Sequence, residues 1–314
     1  MTPVAKAHWQ IHVCVLLWGF TAILGKLITL PALPLVWWRM LLVAAVLMLV
    51  PRVWRGLRAM PPRLLLAYTG VGALVALHWL TFYGAVKLAN ASVAATCMAL
   101  ATVFVALIEP LVARSRFSWR ELALGVAVLP GVALVVGGIP DGMRIGVAVG
   151  ALSAVFVACF GSLNKRLVER ADPLTVTALE LGAGTLTLTL LAPLMPLLFP
   201  AFAGSLLVLP GLQDGAYLLL LLAFACTLLP FALSLVALRH MSAFAAQLAV
   251  NLEPVYAIAL AILLLGEQRE LSPRFYVGVA IILAAVLLYP LLARPQRITH
   301  AENLAAGESK RITD

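Results

Sequence analysis

Ionisable side chains set inside apolar runs are the groups whose chemistry needs explaining, because each costs several kcal/mol in hydrocarbon unless a partner or water compensates it. Glu253 is the leading one. It precedes Pro254 in the middle of the apolar run L252-E-P-V-Y. Proline removes a backbone hydrogen bond and frees a carbonyl, as happens where a helix bends beside a cavity. A carboxyl there can exchange a proton at physiological pH, which makes Glu253 the best candidate for a coupling group; a carboxyl hydrogen-bonded to a neighbouring helix is the alternative. On a uniform helix Glu253 and Tyr256 share one face, while Gln247 and Asn251 fall on nearly the opposite one. Only one of these two sets is therefore expected to line a cavity.

Four further groups qualify. Lys26 lies late in the first apolar run, on a helical face with His12, Gly19 and Ala22, and reads either as a cation at the outer mouth of a cavity or as a side chain snorkelling to the interface. Arg39 opens the second run, where snorkelling, a helix–helix bond and substrate contact are all open. Glu180 shares a face with Thr177, Gly184 and Thr187 and is expected to point into the bundle, binding substrate or closing a gate with Lys165 or Arg166. His78 sits with Trp79, Phe82 and Tyr83, aromatics that can wall a pocket. It is either a titrating group or a satisfied hydrogen bonder, and Tyr83 alternatively anchors at the interface.

These groups must be positioned by helices in a membrane. Hydrophobic residues make up 63% of the 314, charged ones 11%, and the mean hydropathy is +1.06. Apolar runs of about 20 residues match an α-helix crossing about 30 Å of hydrocarbon, and period-two alternation is absent, which argues against a β-barrel. Ten spans are expected: 9–30, 35–51, 64–86, 90–113, 121–139, 145–163, 174–198, 215–237, 242–265 and 275–293. R52-V-W-R-G-L-R-A-M-P-P-R63 reads as a basic loop, and E267-Q-R-E270 as a solvated one. Residues 1–30 lack an A-x-A-like cleavage site before Lys26, so an uncleaved first helix is expected. Residues 294–314 read as a disordered cytoplasmic tail. The net charge of +9 does not indicate nucleic acid, since the basic residues cluster between apolar runs. Cys14, Cys97, Cys159 and Cys226 lie in four separate runs with no metal-ligand spacing. No metal or other cofactor is expected.

The chain repeats itself. V86-K-L-A-N-A-S-V-A-A-T-C-M-A-L-A-T-V-F aligns with L238-R-H-M-S-A-F-A-A-Q-L-A-V-N-L-E-P-V-Y, pairing Ala91 with Ala243, Leu100 with Leu252 and Val103 with Val255. Sixteen of the 22 Lys and Arg fall on the side of the N-terminus and four on the other. Both termini are therefore expected in the cytoplasm and the chain in the inner (plasma) membrane. Five spans per half force the second half to enter from the opposite side. The fold class expected is all-α integral membrane, ten transmembrane helices as two inverted five-helix repeats, 1–143 and 144–293, an arrangement suited to alternating access.

L17-W-G-F-T21, Arg39 in the second span and the doubled segment resemble the EamA-like family of the drug/metabolite transporter superfamily. The second-half runs A237-L-R-H-M-S-A, L252-E-P-V-Y and L263-L-L-G-E267 fit its pattern, and the resemblance covers about residues 9–293. The first half departs from it: Thr102 stands where the family often has proline, and Ser115 where a glutamate often closes the repeat. The resemblance adds Trp18 and Gly19 to the candidates, and implies a central cavity and export of small metabolites, often amino acids.

A secondary transporter is the leading expectation, with a small-molecule substrate, membrane lipids as surroundings and protons as the candidate coupling ion. No G-x-x-x-x-G-K-[ST] loop is present to make ATP the direct driver. A flippase for lipids or lipid-linked carriers, sharing the same inverted halves, is the alternative. A membrane-embedded lipid-modifying enzyme would need catalytic groups at one depth, whereas His12, His78 and His240 lie at different depths, so the chain is not expected to be an enzyme. Oligomeric state is not written in the sequence.

Overall fold

The computed structural model describes residues 2–112, 116–212 and 215–292. The proposed tail at 294–314 and Ser115 lie outside them. Among the described residues every regular element is helical. The first half contains α1 (Pro3–Leu27), α2 (Ala32–Met48), α3 (Pro51–Ala59), α4 (Pro62–Leu88), α5 (Ala91–Cys97), α6 (Ala101–Val112), α7 (Trp119–Ala127) and α8 (Leu129–Gly137). The second contains α9 (Arg144–Leu167), α10 (Pro173–Leu191), α11 (Met195–Leu198), α12 (Ala216–Ala223), α13 (Leu229–Leu238), α14 (Ala243–Val250), α15 (Glu253–Leu260) and α16 (Pro273–Leu292).

Eight helical runs among these residues are long and apolar enough to cross a membrane, and the number rises to nine if α2 and α3 are taken as one span. Pro273–Ala285 is a shorter apolar helix. Ten full spans are thus not reached by length and composition alone. Segment 52–63 is not a loop. α2 ends at Met48, Val50 is held extended ahead of Pro51, and α3 leaves at 91° to α2.

Several spans are interrupted. A 3-10 turn at Met98–Leu100 joins α5 to α6, and a π-helical stretch at Phe224–Leu228 joins α12 to α13. Between α14 and α15 the chain tightens: the Leu252 N–H bonds back to Ala249 O at 3.1 Å, three residues earlier rather than four.

α4 packs against α9 and α10, α2 against α10, and α1 against α13 and α15. α8 and α16 cross where a Cβ on Gly131 would meet Gly278 O at 2.7 Å, and one on Gly278 would meet Gly131 O at 2.5 Å. Only glycine lets these two backbones approach so closely.

The α5–α6 and α14–α15 runs lie side by side and antiparallel, and each receives its N-terminal cap from the far end of the other. At the start of α14, Ala243 N–H donates to Glu109 Oε1 (3.0 Å) and Phe244 N–H to Glu109 Oε2 (2.7 Å). Ser242 takes a third free donor, Ala245 N–H, through its hydroxyl, and its carbonyl accepts the first regular helical bond from Ala246 N–H. At the start of α5, Ala91 N–H and Ser92 N–H donate to the two oxygens of Glu267 at 3.0 Å each, and Ser92 Oγ adds a bond of 2.6 Å. Asn90 completes that set by accepting Val93 N–H. The first three N–H groups of each helix, residues 243–245 and 91–93, are thereby satisfied at both sites.

One expectation is corrected by these bonds: Glu267 is 1% exposed rather than solvated. The physical reason applies to Glu109 as well: two adjacent backbone N–H groups buried in apolar surroundings need an acceptor, and a carboxylate offers two.

Candidate functional site

A cavity with an empty volume of about 1020 Å³, counted to its open side, lies between α1, α2, α4, α9, α13 and α14–α15. It reaches from Arg39 and Glu253, near mid-depth, down to Leu238 and Ala243 beside the 239–242 turn, at the end of the bundle that carries the N-terminus. Trp18, His78, Trp79, Phe82, Phe160 and Phe231 contribute aromatic rings to its walls, among aliphatic residues such as Ile11, Val157 and Leu235.

Arg39 is 1% exposed and held from three directions. Its Nε donates to Thr227 Oγ1, its Nη1 to Tyr83 Oη at 2.8 Å, and its Nη2 to Cys226 O at 3.3 Å. The guanidinium carbon stands 3.9 Å from the Trp79 ring centroid, a cation–π distance. The Cys226 carbonyl is free to accept because its helical donor would be the N–H of residue 230, and Pro230 has none. The π-helical stretch supplies Thr227, whose hydroxyl also donates to Leu222 O, five residues back, at 2.7 Å. Arg39 therefore has a fixed orientation on the cavity wall.

Glu253 lines the same cavity at 6% exposure, and among the described residues it makes no hydrogen bond or ion pair. Gln247 lines it too, with its Nε2 a long 3.5 Å from Met98 O. The expectation that only one face of the ninth helix could reach the cavity is thus corrected. The tight turn at Asn251–Leu252 winds by more than the 100° per residue of an α-helix and swings Glu253 round toward the side of Gln247. The other member of each set stays outside. Asn251 donates to Thr102 Oγ1 at 2.6 Å, so the threonine standing in for a proline of the first repeat receives the side chain next to the break. Tyr256 packs on Gly19, where a Cβ would fall 2.7 Å from Tyr256 Cβ; both residues serve the α1–α15 contact.

His78 borders the cavity with Nδ1 fixed by Ser153. That nitrogen lies 3.0 Å from Ser153 O and 2.8 Å from Ser153 Oγ, while the Ser153 hydroxyl donates to His78 O at 2.8 Å. Ser153 thus offers Nδ1 only acceptors, so Nδ1 carries the hydrogen and Nε2 is the free nitrogen. Phe160 and Phe82 flank the ring at 5.4 and 6.2 Å. Tyr83 is fully buried behind Arg39, which corrects its reading as an interface anchor.

Glu180 and Lys26 are placed apart from the cavity. Glu180 is fully buried one residue behind the wall: Asn164, which lines the cavity, donates its Nδ2 to Glu180 Oε2 at 3.3 Å. Among the described residues Glu180 Oε1 and Asn164 Oδ1 have no hydrogen-bond partner. Neither expected gate partner engages it, since Lys165 donates to Leu238 O and Arg166 to Val112 O. Lys26 is exposed in the last turn of α1 and does not line the cavity. At that end the cation that does bind is Lys87, whose Nζ donates to Ile28 O at 2.6 Å.

Sequence reasoning missed Asn164, Thr227 and Phe231. Thr227 was visible on one face with Pro230 and Ser234, but its role depends on the carbonyl that Pro230 frees in the same turn.

The structure thus brings Trp18, Arg39, His78, Trp79, Gln247 and Glu253 to one cavity, backs it with Tyr83 and Glu180, and leaves Gly19, Lys26, Asn251 and Tyr256 outside it. Among the described residues no cluster of His, Cys, Asp and Glu could hold a metal ion.

Comparison with known proteins places this arrangement. The model of a family described as the EamA-like transporter family matches residues 6–137 and again 144–292. No curated protein matches the chain. Among solved structures, one titled only "Crystal structure of protein" superposes with a TM-score of 0.66 at 18% identity, over 93% of this chain and 99% of its own. At that identity the likeness concerns the fold alone.

Proposed function

Because this chain belongs to the EamA-like transporter family, we propose that it is a secondary transporter exporting small metabolites such as amino acids or related compounds by alternating access. The observation that carries this reading is that Arg39 and Glu253, a guanidinium and a carboxyl, line one cavity together with aromatic rings. A guanidinium suits a carboxylate, a carboxylate suits an ammonium, and rings suit an apolar side chain. The same pairing favours a small zwitterion over the lipid cargo of a flippase.

The ten-span, two-by-five layout is part of this proposal, with halves 1–143 and 144–293 threaded in opposite senses. The antiparallel pairing of α5–α6 with α14–α15 and their exchanged carboxylate caps support it. With the basic ends in the cytoplasm of a cell whose inner membrane holds the protein, the cavity faces inward, ready to load cytoplasmic solute. The end bearing Lys87 and Glu267 is the closed outer side. Rocking of the halves would then close the inner mouth and open the outer one. Glu253, unpaired in the cavity, is the proposed carrier of a coupled proton.

The test is counterflow in proteoliposomes preloaded with each of the common amino acids and, separately, with nucleosides. Exchange above protein-free liposomes for at least one zwitterionic solute, lost in Arg39→Gln, is the expected result. Exchange of no solute in the panel, or of lipid alone, would overturn the assignment.

A further inference from the structure

The basic segment after the second span folds into a helix that the transport cavity does not use. α3 leaves α2 at 91°, so it runs along the membrane plane when α2 crosses it. Its residues sort by face. Val53 is buried, and Gly56 abuts Thr175 of α10, where a Cβ would fall within 2.8 Å of the Thr175 methyl, so this side is docked on the bundle. Arg52, Arg55 and Arg58 recur every three residues on an exposed side, and Arg63 extends the row at the start of α4. Trp54 is 47% exposed, with its indole N–H tied to Met48 O at 2.6 Å.

Arg52 is already engaged. It bonds Asp172 Oδ1 at 2.6 Å, and Asp172 in turn caps α10 through Thr175 N–H at 3.2 Å. That linkage fixes α3 against α10. Among the described residues, Arg55, Arg58 and Arg63 have no carboxylate partner. Three exposed guanidinium groups beside an exposed tryptophan form a positive surface flanked by apolar area.

We propose that α3 is an interfacial helix whose Arg55, Arg58 and Arg63 bind the phosphodiester headgroups of anionic phospholipids in the leaflet at the N-terminal face. Arginine pairs with a phosphodiester through two parallel N–H···O bonds, which a zwitterionic lipid weakens by presenting its own ammonium to the phosphate. Each basic side chain near an anionic surface contributes roughly a fivefold gain in partition, so three together give on the order of 100-fold. This binding is independent of which solute the cavity carries.

Native mass spectrometry of the full chain, released from micelles doped with equal phosphatidylglycerol and phosphatidylcholine of matched acyl chains, tests it. The wild type is expected to retain phosphatidylglycerol by at least tenfold over phosphatidylcholine. The variant Arg55→Gln/Arg58→Gln/Arg63→Gln should lose that preference, whereas Arg144→Gln, at the opposite end, should keep it. Excess inorganic phosphate should not displace the lipid. Equal retention of both lipids by the wild type, a preference unchanged in the triple variant, an equal loss in Arg144→Gln, or displacement by phosphate would each overturn the proposal. Should the triple variant not fold, Arg55→Lys/Arg58→Lys/Arg63→Lys serves instead. It keeps the charge but not the two-pronged bond, and is expected to lower the preference severalfold; no change would count against the headgroup contact.

Discussion

Replacing Glu267 with alanine is expected to destabilise the protein more than any other single surface-end substitution, although this residue looks like part of a charged loop. The wild-type carboxylate accepts Ala91 N–H and Ser92 N–H at 3.0 Å each and Ser92 Oγ–H at 2.6 Å. Alanine leaves two buried backbone donors unsatisfied at about 1–3 kcal/mol each, and removes a favourable charge at the start of α5 worth about 0.3–2 kcal/mol. The loss expected is therefore about 2–8 kcal/mol. Glu267→Gln keeps one acceptor oxygen and loses the charge, for roughly half that loss. Glu109→Ala should cost less than Glu267→Ala by about one hydrogen bond, near 1 kcal/mol, because Glu109 accepts two backbone donors and no hydroxyl. The two residues share no partner and cap opposite ends of one helix pair, so the double variant should be additive within about 0.5 kcal/mol. Reversible unfolding in mixed detergent, followed by circular dichroism, measures all four variants. A loss below about 1 kcal/mol for Glu267→Ala, or equal stability of Glu267→Gln and wild type, would refute the capping argument.

Other expectations follow from the cavity and the groups behind it. Glu253→Gln should abolish any dependence of efflux on a pH gradient while leaving downhill exchange in place; an unchanged dependence would remove Glu253 from the coupling role. Arg39→Lys keeps the charge but cannot serve Thr227, Tyr83 and Cys226 at once, so counterflow should fall at least tenfold, and full activity would show that a point charge suffices. Glu180→Gln should be tolerated within about 1 kcal/mol, since the carboxyl receives a single bond from Asn164 and has no cation partner; a large loss in thermal unfolding would reveal a missing partner. Lys26→Ala should leave transport of carboxylate-bearing solutes unchanged, because Lys26 is exposed away from the cavity, and a selective loss would contradict that placement.

The membrane class, the two copies and the grouping of His78 with Trp79 and Phe82 were legible because hydropathy and helical spacing act through local geometry. Three features were not. Segment 52–63 is short and bounded by prolines at 51, 61 and 62, so it offered a loop's composition although its arginines already recurred at helical spacing. The placement of Gln247 and Glu253 on one cavity depends on how tightly two residues between them wind, which a constant 100° step cannot express. The caps from Glu109 and Glu267 reach residues 134 and 176 positions away, beyond any pattern read along a helix.

These caps also bear on how the two copies have diverged. In the alignment that pairs Ala91 with Ala243, the residue opposite Glu267 is Ser115, yet the same task in the first copy is done by Glu109, one and a half turns earlier. What duplication has preserved is an acceptor for two stranded amide groups rather than a column of identical letters. Each copy supplies the acceptor for its sibling, so a polypeptide cut between residues 139 and 144 would yield fragments that each keep two unpaired N–H groups at a helix start. Stable fragments should accumulate only when both are made together.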